Sequence, residues 1–469
     1  MVKGNSSRLL GVEVGESGVV SHVGLWALGR FADRLGLGAA LSEAFGEAKV
    51  VHDRGSVLVH AMLMLAGGGE ACTDVEHLRA EPDLFGEVAS DSTLPRTMRS
   101  IDTNVLDRLG GAVTRVRNRV WGRLVNTDGP VVSDIDSSLH EVHSENKEGT
   151  APTYKRGFGF HPMYCTLDAA GEALSVLLRP GNAAANNVSD HTDVLDAAVK
   201  ALPERVAVGH RRGDDPDLVV QPLRVRCDSA GGRSCADACR ERNVGFSVGV
   251  RRASYIESAI RRTPTDDPRW VPALPRKRSA AAGNRHREQP ESEREEPRVR
   301  AHVIELTHLV DTSRRPKGTR LIVRREPKHR GAQRSLFPSD EWRYWGHWTD
   351  NDLTPAQSDA DIRAHARVEN TIARLKDSGA NRFPFTDLDA NRAWLALVTY
   401  ADALVRWFQL LCLEGTRLHK ARPKTLRWHL WHTPARLIRH ARQTTIRIPH
   451  TWPTAHLLHQ AHQHINTFT

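Results

Sequence analysis

Between residues 129 and 250 the sequence alternates between strand-like and helix-like segments, and this constrains the fold more than any other feature. GPVVSDIDSSL predicts a strand, and HPMYCTLDAAGEALSVLLRPGN predicts two strands around a glycine turn. SDHTDVLDAAVKAL then predicts an amphipathic helix capped by Ser189 or Asp190. The remaining segments predict a strand (LRVRCDSA), a helix (SCADACRERN) and a strand (VGFSVGVRR). This order indicates an α/β protein with a mixed sheet.

The flanking sequence has a different character and suggests how the chain is divided. Apolar residues at helical spacing predict a helical N-terminal domain, and helices again follow Pro355. The segment between them contains strand-like pieces and a highly charged stretch from Arg276 to Arg300 that predicts a flexible linker. The predicted divisions are a helical N-terminal domain (1–125), the first part of the α/β domain (126–261), a β-rich insertion with the charged linker (262–353), the rest of the α/β domain (354–415) and a basic helical C-terminal region (416–469).

The chain carries a formal net charge of +10, and no acidic residue follows Glu414. A basic surplus predicts a polyanionic partner, which for a cytoplasmic protein is usually nucleic acid. Trp428, Trp431 and Trp452 lie among the basic residues of this tail and could stack on bases, although a tryptophan stripe is more often core.

Several classes of protein are disfavoured by the composition. The six cysteines are scattered without a zinc-site spacing, which predicts reduced, buried side chains. We expect no membrane helix, since Val57 to Ala66 is the longest candidate and is too short. The first residues contain no long apolar stretch typical of a secretory signal, so we expect a cytoplasmic location.

Four acidic residues are candidates for chemistry. Asp134 and Asp136 interrupt an apolar strand and face the same side of it, where an unpaired acid is costly. Asp228 lies at the C-terminal end of a later predicted strand, a position where α/β sheets commonly bind ligands. Glu369 lies in the predicted helix ADIRAHARVENTIARLKDSGA. Taken singly, each has an ordinary structural explanation: a strand-end acid, a turn or cap aspartate, or a solvated helix glutamate.

Around Glu369, His365 and Lys376 are predicted to share one helical face with the acid. An acid flanked by cations suits a metal ligand that lies beside phosphates. Acids on separate rigid elements could together hold Mg²⁺, which prefers oxygen ligands. Two such ions, about 3.5–4 Å apart, can activate an attacking oxygen and stabilise a leaving oxygen on phosphorus.

The order of these blocks resembles an IS4-like DDE transposase with an RNase H-like core, and specifically the IS1380 family. The similar segments are SDIDSSLHEVHSENKEG with KRGFGFHPM, RPGNAAANN before VRCDSAGG, TRLIVRRE, RAHARVENTIARLKDSGANRFPF with NRAWLALVTYADALVRW, and PKTLRWHLWHTPARLIRHAR. The resemblance spans nearly the whole chain and implies a helical N-terminal domain that helps to recognise element ends.

The resemblance also implies residue roles. Asp136, Asp228 and Glu369 are the expected catalytic metal ligands, with Asp134 as the alternative to Asp136, and two Mg²⁺ (or Mn²⁺) ions are the expected cofactors. The family signature around the glutamate contains Tyr, Arg, Glu and Lys. Here Glu369 and Lys376 match, while Ile362 and His365 stand at the Tyr and Arg positions. The expected DNA contacts are His365, Lys376, Arg363 and Arg367.

The implied reaction is hydrolysis at transposon ends, followed by attack of the freed 3′-hydroxyl on target DNA, without a covalent protein–DNA intermediate. Its partner is double-stranded DNA, at both the transposon ends and the target. Joining two ends implies at least a homodimer in the synaptic complex. Two alternatives stay open: a degenerate or repurposed transposase that only binds DNA, and an RNase H-like nuclease without strand transfer.

Overall fold

The computed structural model describes residues 18–46, 50–124, 129–185, 187–229, 232–251, 253–275, 301–328, 342–441 and 443–468. The strands are β1 (Val19–Val20), β2 (Val131–Ser137), β3 (His140–Glu141), β4 (Ala151–Pro152), β5 (Phe158–Phe160), β6 (Met163–Leu167), β7 (Glu172–Leu177), β8 (Leu223–Cys227), β9 (Gly245–Gly249), β10 (Val271–Pro272), β11 (His302–Glu305), β12 (Arg320–Pro327), β13 (Trp342–Thr349), β14 (Ala435–His440) and β15 (Gln443–Arg447).

The helices are α1 (Val23–Arg34), α2 (Leu37–Phe45), α3 (Arg54–Gly67), α4 (Glu76–Arg79), α5 (Pro82–Phe85), α6 (Thr93–Arg99), α7 (Thr103–Leu124), α8 (Val188–Ala201), α9 (Glu204–Ala207), α10 (Gly232–Arg240), α11 (Ser254–Arg262), α12 (Pro355–Arg363), α13 (Arg367–Leu375), α14 (Leu388–Cys412), α15 (Pro423–Leu426) and α16 (Ala455–Asn466). The mixed α/β class predicted from the sequence is confirmed.

A mixed nine-stranded sheet organises the molecule, in the order β10-β11-β12-β13-β9-β8-β2-β6-β7. β2, β8 and β9 run parallel to one another, while β6 and β7 continue the sheet antiparallel on the other side of β2. The parallel strands are joined through α8 and α10, as parallel connections require a crossover. Apolar residues of the strands pack beneath these helices, with Ile135, Val225 and Val248 among the buried side chains.

The strands of the predicted β-rich insertion extend this same sheet. β13 pairs antiparallel with β9, and β10 to β12 follow outward from it. Val303, Leu321 and Trp348 are buried here, and Leu321 and Trp348 belong to the core that contains Val225. The segment is therefore β-rich as predicted, but pairing with β9 makes it a continuation of the sheet. The charged stretch 276–300 lies outside the described residues.

The helices at the two ends of the chain share one apolar core around α14. Phe31 of α1 contacts the rings of Phe408 and Phe468 edge-on, at centroid distances of 5.6 and 5.5 Å. Trp394 and Trp407 of α14 are fully buried in the same core. α14 is long and apolar enough to cross a membrane by composition, but 83% of its most apolar window is buried inside the protein, as in a core helix.

Three local predictions differ from the structure: the cap of α8, the single helix around Glu369, and the all-helical C-terminal region. α8 is capped by Asn187, whose side chain accepts from the Ser189 N–H, and not by Ser189 or Asp190. The predicted single helix around Glu369 is divided: a 3₁₀ turn separates α12 from α13, and a wide turn follows α13, in which Gly379 has a φ of 109°. L-residues rarely adopt that conformation, which glycine adopts readily because it has no Cβ.

The C-terminal region was predicted to be helical but also contains a hairpin. β14 and β15 are joined by residues 441–442, and Ala441 has a φ of 54°. A positive φ at the residue that follows β14 suits the twist of a hairpin. The β-branched residues Thr444, Thr445 and Ile446 favour the extended conformation of β15, and β1 pairs with β14 on its other side.

Candidate active site

Asp136 and Asp228 are brought together by two neighbouring parallel strands. In the register of β2 with β8, Ile135 lies opposite Cys227. The residues that follow, Asp136 and Asp228, therefore lie at the same level, where paired strands are about 4.8 Å apart. Both acids lie at the carboxyl end of their strands; Asp136 is half-buried and Asp228 is exposed. The sheet thus presents two carboxylates at one solvent-facing edge.

Asp134 has a different environment from Asp136, although both lie on one face of β2. Its side chain is only 1% exposed, and its two carboxylate oxygens accept from Nε and Nη2 of Arg226, both at 2.8 Å. Nδ1 of His365 lies 2.8 Å from the same carboxylate. Both oxygens of Asp134 are engaged within the protein, so the geometry favours Asp136 over Asp134 as a metal ligand.

Glu369 approaches this edge from the first turn of α13, which packs against the face of the sheet that carries Asp136. Burial, and to a smaller extent the negative charges of Asp228 and Glu369, raise the pKa of Asp136 to about 6, although His365 and the Ser137 N–H act in the opposite direction. Asp136 therefore senses the charge of both other predicted acids, and assignment of the three as a triad stays a prediction.

The three carboxylates match a divalent metal by donor type and charge. Oxygen donors suit Mg²⁺ and Mn²⁺, and burial, with the charges of Asp228 and Glu369, disfavours the charged form of Asp136, a penalty that a cation would offset. In the part of the chain that the structure describes, no three acidic, His or Cys side chains are close enough to bind a metal as they stand. The acids therefore fit the ion by donor type.

Each of the four predicted DNA contacts has a partner within the protein. Arg363 donates to Asp359 at 2.8 Å and to the Leu274 carbonyl, and Lys376 donates to the Leu139 carbonyl at 2.9 Å. Arg367 donates to both carboxylate oxygens of Asp168, at 3.0 and 2.9 Å, and His365 contacts Asp134. Their contact with DNA stays a prediction. 

Arg226 is the residue beside the site that sequence reasoning missed. It is 1% exposed, and besides Asp134 it contacts Asp168 at 3.2 Å and the Asp361 carbonyl at 3.0 Å. The available signal was its position two residues before Asp228 on a strand, which places it on the face that carries Asp134.

His140 is a structural residue. It is fully buried, with Nδ1 at 2.7 Å from the Ala380 carbonyl and Nε2 at 3.1 Å from the Tyr164 hydroxyl. Burial lowers the pKa of His140 to about 3, so it stays neutral at physiological pH. It holds the wide turn that follows α13 against β6 and is not placed to bind DNA.

Comparison with known proteins identifies the family. The chain matches the family described as "Transposase DDE domain group 1" over residues 5–469. No curated protein matches it significantly. Among solved structures, it is similar to the cryo-EM structure of the piggyBac transposase synaptic complex with hairpin DNA, with 9% identity, a TM-score of 0.42 and coverage of 88% of this chain and 80% of that one.

Proposed function

The chain belongs to the family of transposases with a DDE domain of group 1, and on this premise we propose that it cuts DNA at the ends of an insertion sequence and joins the freed 3′-hydroxyl ends to target DNA. The observation that supports this proposal is the placement of Asp136 and Asp228 at the carboxyl ends of two neighbouring parallel strands, together with the effect of Glu369 on the charge of Asp136. We assign these three residues as the catalytic carboxylates.

DDE transposases generally use divalent metal ions, and we propose two Mg²⁺ ions, which Mn²⁺ can replace, held by the three acids. The ions would supply activation of the attacking oxygen and stabilisation of the leaving oxygen. Asp136 and Asp228 would hold their side of the site rigidly, because neighbouring strands fix their spacing. Glu369 would close the site from α13. We nominate no serine or tyrosine nucleophile.

The strand order β7-β6-β2-β8-β9 supports assigning the centre of the sheet to an RNase H-like fold. An antiparallel three-stranded unit is followed by two parallel strands, with the first acid on the first strand and the second acid at the end of the fourth. The quoted sequence blocks support placement in the IS1380 family. The domain boundaries predicted from the sequence are part of the same proposal, as is the recognition of element ends by the N-terminal helices.

We propose double-stranded DNA as the partner, and the C-terminal region as one surface that binds it. Residues 415–469 contain nine Lys and Arg residues and no acid. In the hairpin, Arg436 of β14 lies directly opposite Arg447 of β15, and both side chains are exposed. Like charges directly opposite are unfavourable in an isolated sheet, and phosphates would relieve the repulsion.

Two copies of the chain would be needed to join two element ends, so we propose a homodimer in the synaptic complex, in the cytoplasm. The alternative is a repurposed, non-catalytic transposase that binds DNA. Ile362 and His365, at the Tyr and Arg positions of the family signature, are the observation that favours this alternative.

The test uses a duplex that carries the DNA flanking the reading frame, incubated with the protein and Mg²⁺ or Mn²⁺. We expect nicking at the element boundary and joined products with a second duplex. Asp228→Asn should retain binding of the duplex and lose both products. Binding without nicking by the unaltered protein would support the repurposed transposase, and nicking without joined products would support a nuclease.

A further inference from the structure

The helix that carries Glu369 is attached to the sheet at the turn that precedes it. Residues 364–366 form a 3₁₀ turn between α12 and α13. On one side of this turn, Nη1 of Arg226 donates to the Asp361 carbonyl at 3.0 Å. Within the turn, His365 contacts Asp134 at 2.8 Å. Both contacts end on side chains of the two strands that carry Asp136 and Asp228.

A third contact lies just after the turn. Arg367, the first residue of α13, donates to both oxygens of Asp168, the residue that follows β6. Arg226 contacts the same carboxylate at 3.2 Å. One buried guanidinium therefore joins Asp134, Asp168 and the turn, and α13 is fixed at two points within four residues of Glu369.

Glu369 itself makes no hydrogen bond or ion pair with any described residue, and its side chain is exposed. Its position relative to Asp136 is therefore set by the placement of α13. Resting on the proposed function, we propose that Arg226, Asp134 and His365, together with the Arg367–Asp168 pair, form a clamp that positions Glu369 against Asp136 for metal binding. These are positioning residues, and in this proposal none contacts DNA or the reacting atoms.

This proposal gives a different role to His365 from the DNA contact that its place in the family signature implies. The side chain is 14% exposed, and Nδ1 is directed at Asp134. Nδ1 of this ring can be replaced by the side-chain amide of asparagine, which offers an N–H donor at a similar distance from the backbone. Leucine has similar bulk and no donor. Asparagine and leucine at this position therefore separate the hydrogen bond from the packing.

The experiment measures Mn²⁺ binding to the full chain by electron paramagnetic resonance of the free ion, without DNA. We expect His365→Leu to raise the Mn²⁺ concentration for half-saturation by about tenfold, the size of effect seen when groups behind metal ligands are removed. His365→Asn should stay within about threefold of the unaltered protein. Arg367→Met, at an exposed side chain, should give an intermediate increase while the protein stays folded.

The matched control is Arg242→Met, which removes the ion pair between a buried arginine and a partly exposed aspartate away from the site. Arg242 is fully buried and contacts Asp196 on α8, with Nη2 at 2.9 Å. A thermal unfolding scan should show that this variant loses stability, while its Mn²⁺ half-saturation stays unchanged. Any effect of the clamp variants is then separated from general loss of stability.

Asp136→Asn separates failure of the clamp from failure of the proposed function. If the unaltered protein binds Mn²⁺ and Asp136→Asn does not, the metal site stands. Unchanged binding in both His365→Leu and Arg367→Met would then overturn the clamp, as would equal losses in His365→Leu and His365→Asn. If Asp136→Asn binds Mn²⁺ as the unaltered protein does, the proposed metal site is itself wrong.

Discussion

Asp134 and Asp136 are two residues apart on one strand, yet replacing them with asparagine should change stability in opposite directions. Asp134→Asn would place an amide N–H against the N–H groups of Arg226, which is buried. Removing one partner of a buried pair typically costs about 3–5 kcal/mol. Asp168 and Asp361 still lie 3.2 and 3.5 Å from Arg226, so we expect the lower end, about 3 kcal/mol.

Asp136→Asn should stabilise the protein, because the charged carboxylate is unfavourable in the folded state. Its pKa is raised from 3.8 to about 6 by burial and by Asp228 and Glu369. Each tenfold change in proton affinity is worth about 1.4 kcal/mol, which gives about 3 kcal/mol at most. Partial exposure of Asp136 to solvent reduces the expected gain to about 1–2 kcal/mol.

The sign follows from proton linkage. The folded protein binds the Asp136 proton more tightly than the unfolded chain does. The free energy of unfolding therefore falls as pH rises from about 4 to about 6, and titration of Asp136 changes it no further above about pH 6. The gain from Asp136→Asn should therefore be about half as large at pH 5 as at pH 8.

Urea unfolding of the unaltered protein and both variants at pH 5 and pH 8, without divalent ions, measures these differences. Equal stability of Asp134→Asn and the unaltered protein would contradict the role of the buried pair. A loss of stability in Asp136→Asn at pH 8 would refute the assignment of Asp136 to a site that disfavours its charged form.

Three further outcomes are expected. Mn²⁺ should raise the unfolding temperature of the unaltered protein more at pH 8 than at pH 5, because protonated Asp136 binds no cation; equal shifts would contradict this. Glu172→Gln should cost about 3–5 kcal/mol in urea unfolding, because Glu172 is fully buried and accepts from Arg117, Trp121 and Trp407. Replacing Arg436 and Arg447 together by glutamine should make the slope of log DNA affinity against log salt concentration shallower, by the amount expected for the loss of about two phosphate contacts. An unchanged slope would exclude the hairpin from the interface.

Much of the fold was predictable from local pattern. The strands around Asp136 and Asp228, the β6–β7 hairpin and the buried helices α3 and α14 follow from apolar periodicity and glycine boundaries. Pairing partners were not predictable, since β9 and β13 meet only after about ninety intervening residues. The sequence of the β-rich segment therefore did not predict that its strands would extend the central sheet.

The same limit applies to the candidate site. Alternation on a strand predicted that Asp134 and Asp136 share a face, but not that Arg226 would take up both oxygens of Asp134. Helical spacing predicted one face for His365, Glu369 and Lys376, whereas the 3₁₀ turn and the wide turn redirect the first and last of these. Sequence spacing identifies which residues are available, and long-range contacts decide which of them are engaged.

The central claim is that Asp136, Asp228 and Glu369 together hold the divalent ions that cut DNA. The most direct measurement is single-turnover nicking of a duplex carrying the element's own boundary, as a function of Mn²⁺, for the unaltered protein and Glu369→Gln. Glutamine preserves the size of the side chain in α13 and removes its charge. We predict metal-dependent nicking that Glu369→Gln loses while duplex binding is retained. Nicking by Glu369→Gln at the rate of the unaltered protein would contradict the account.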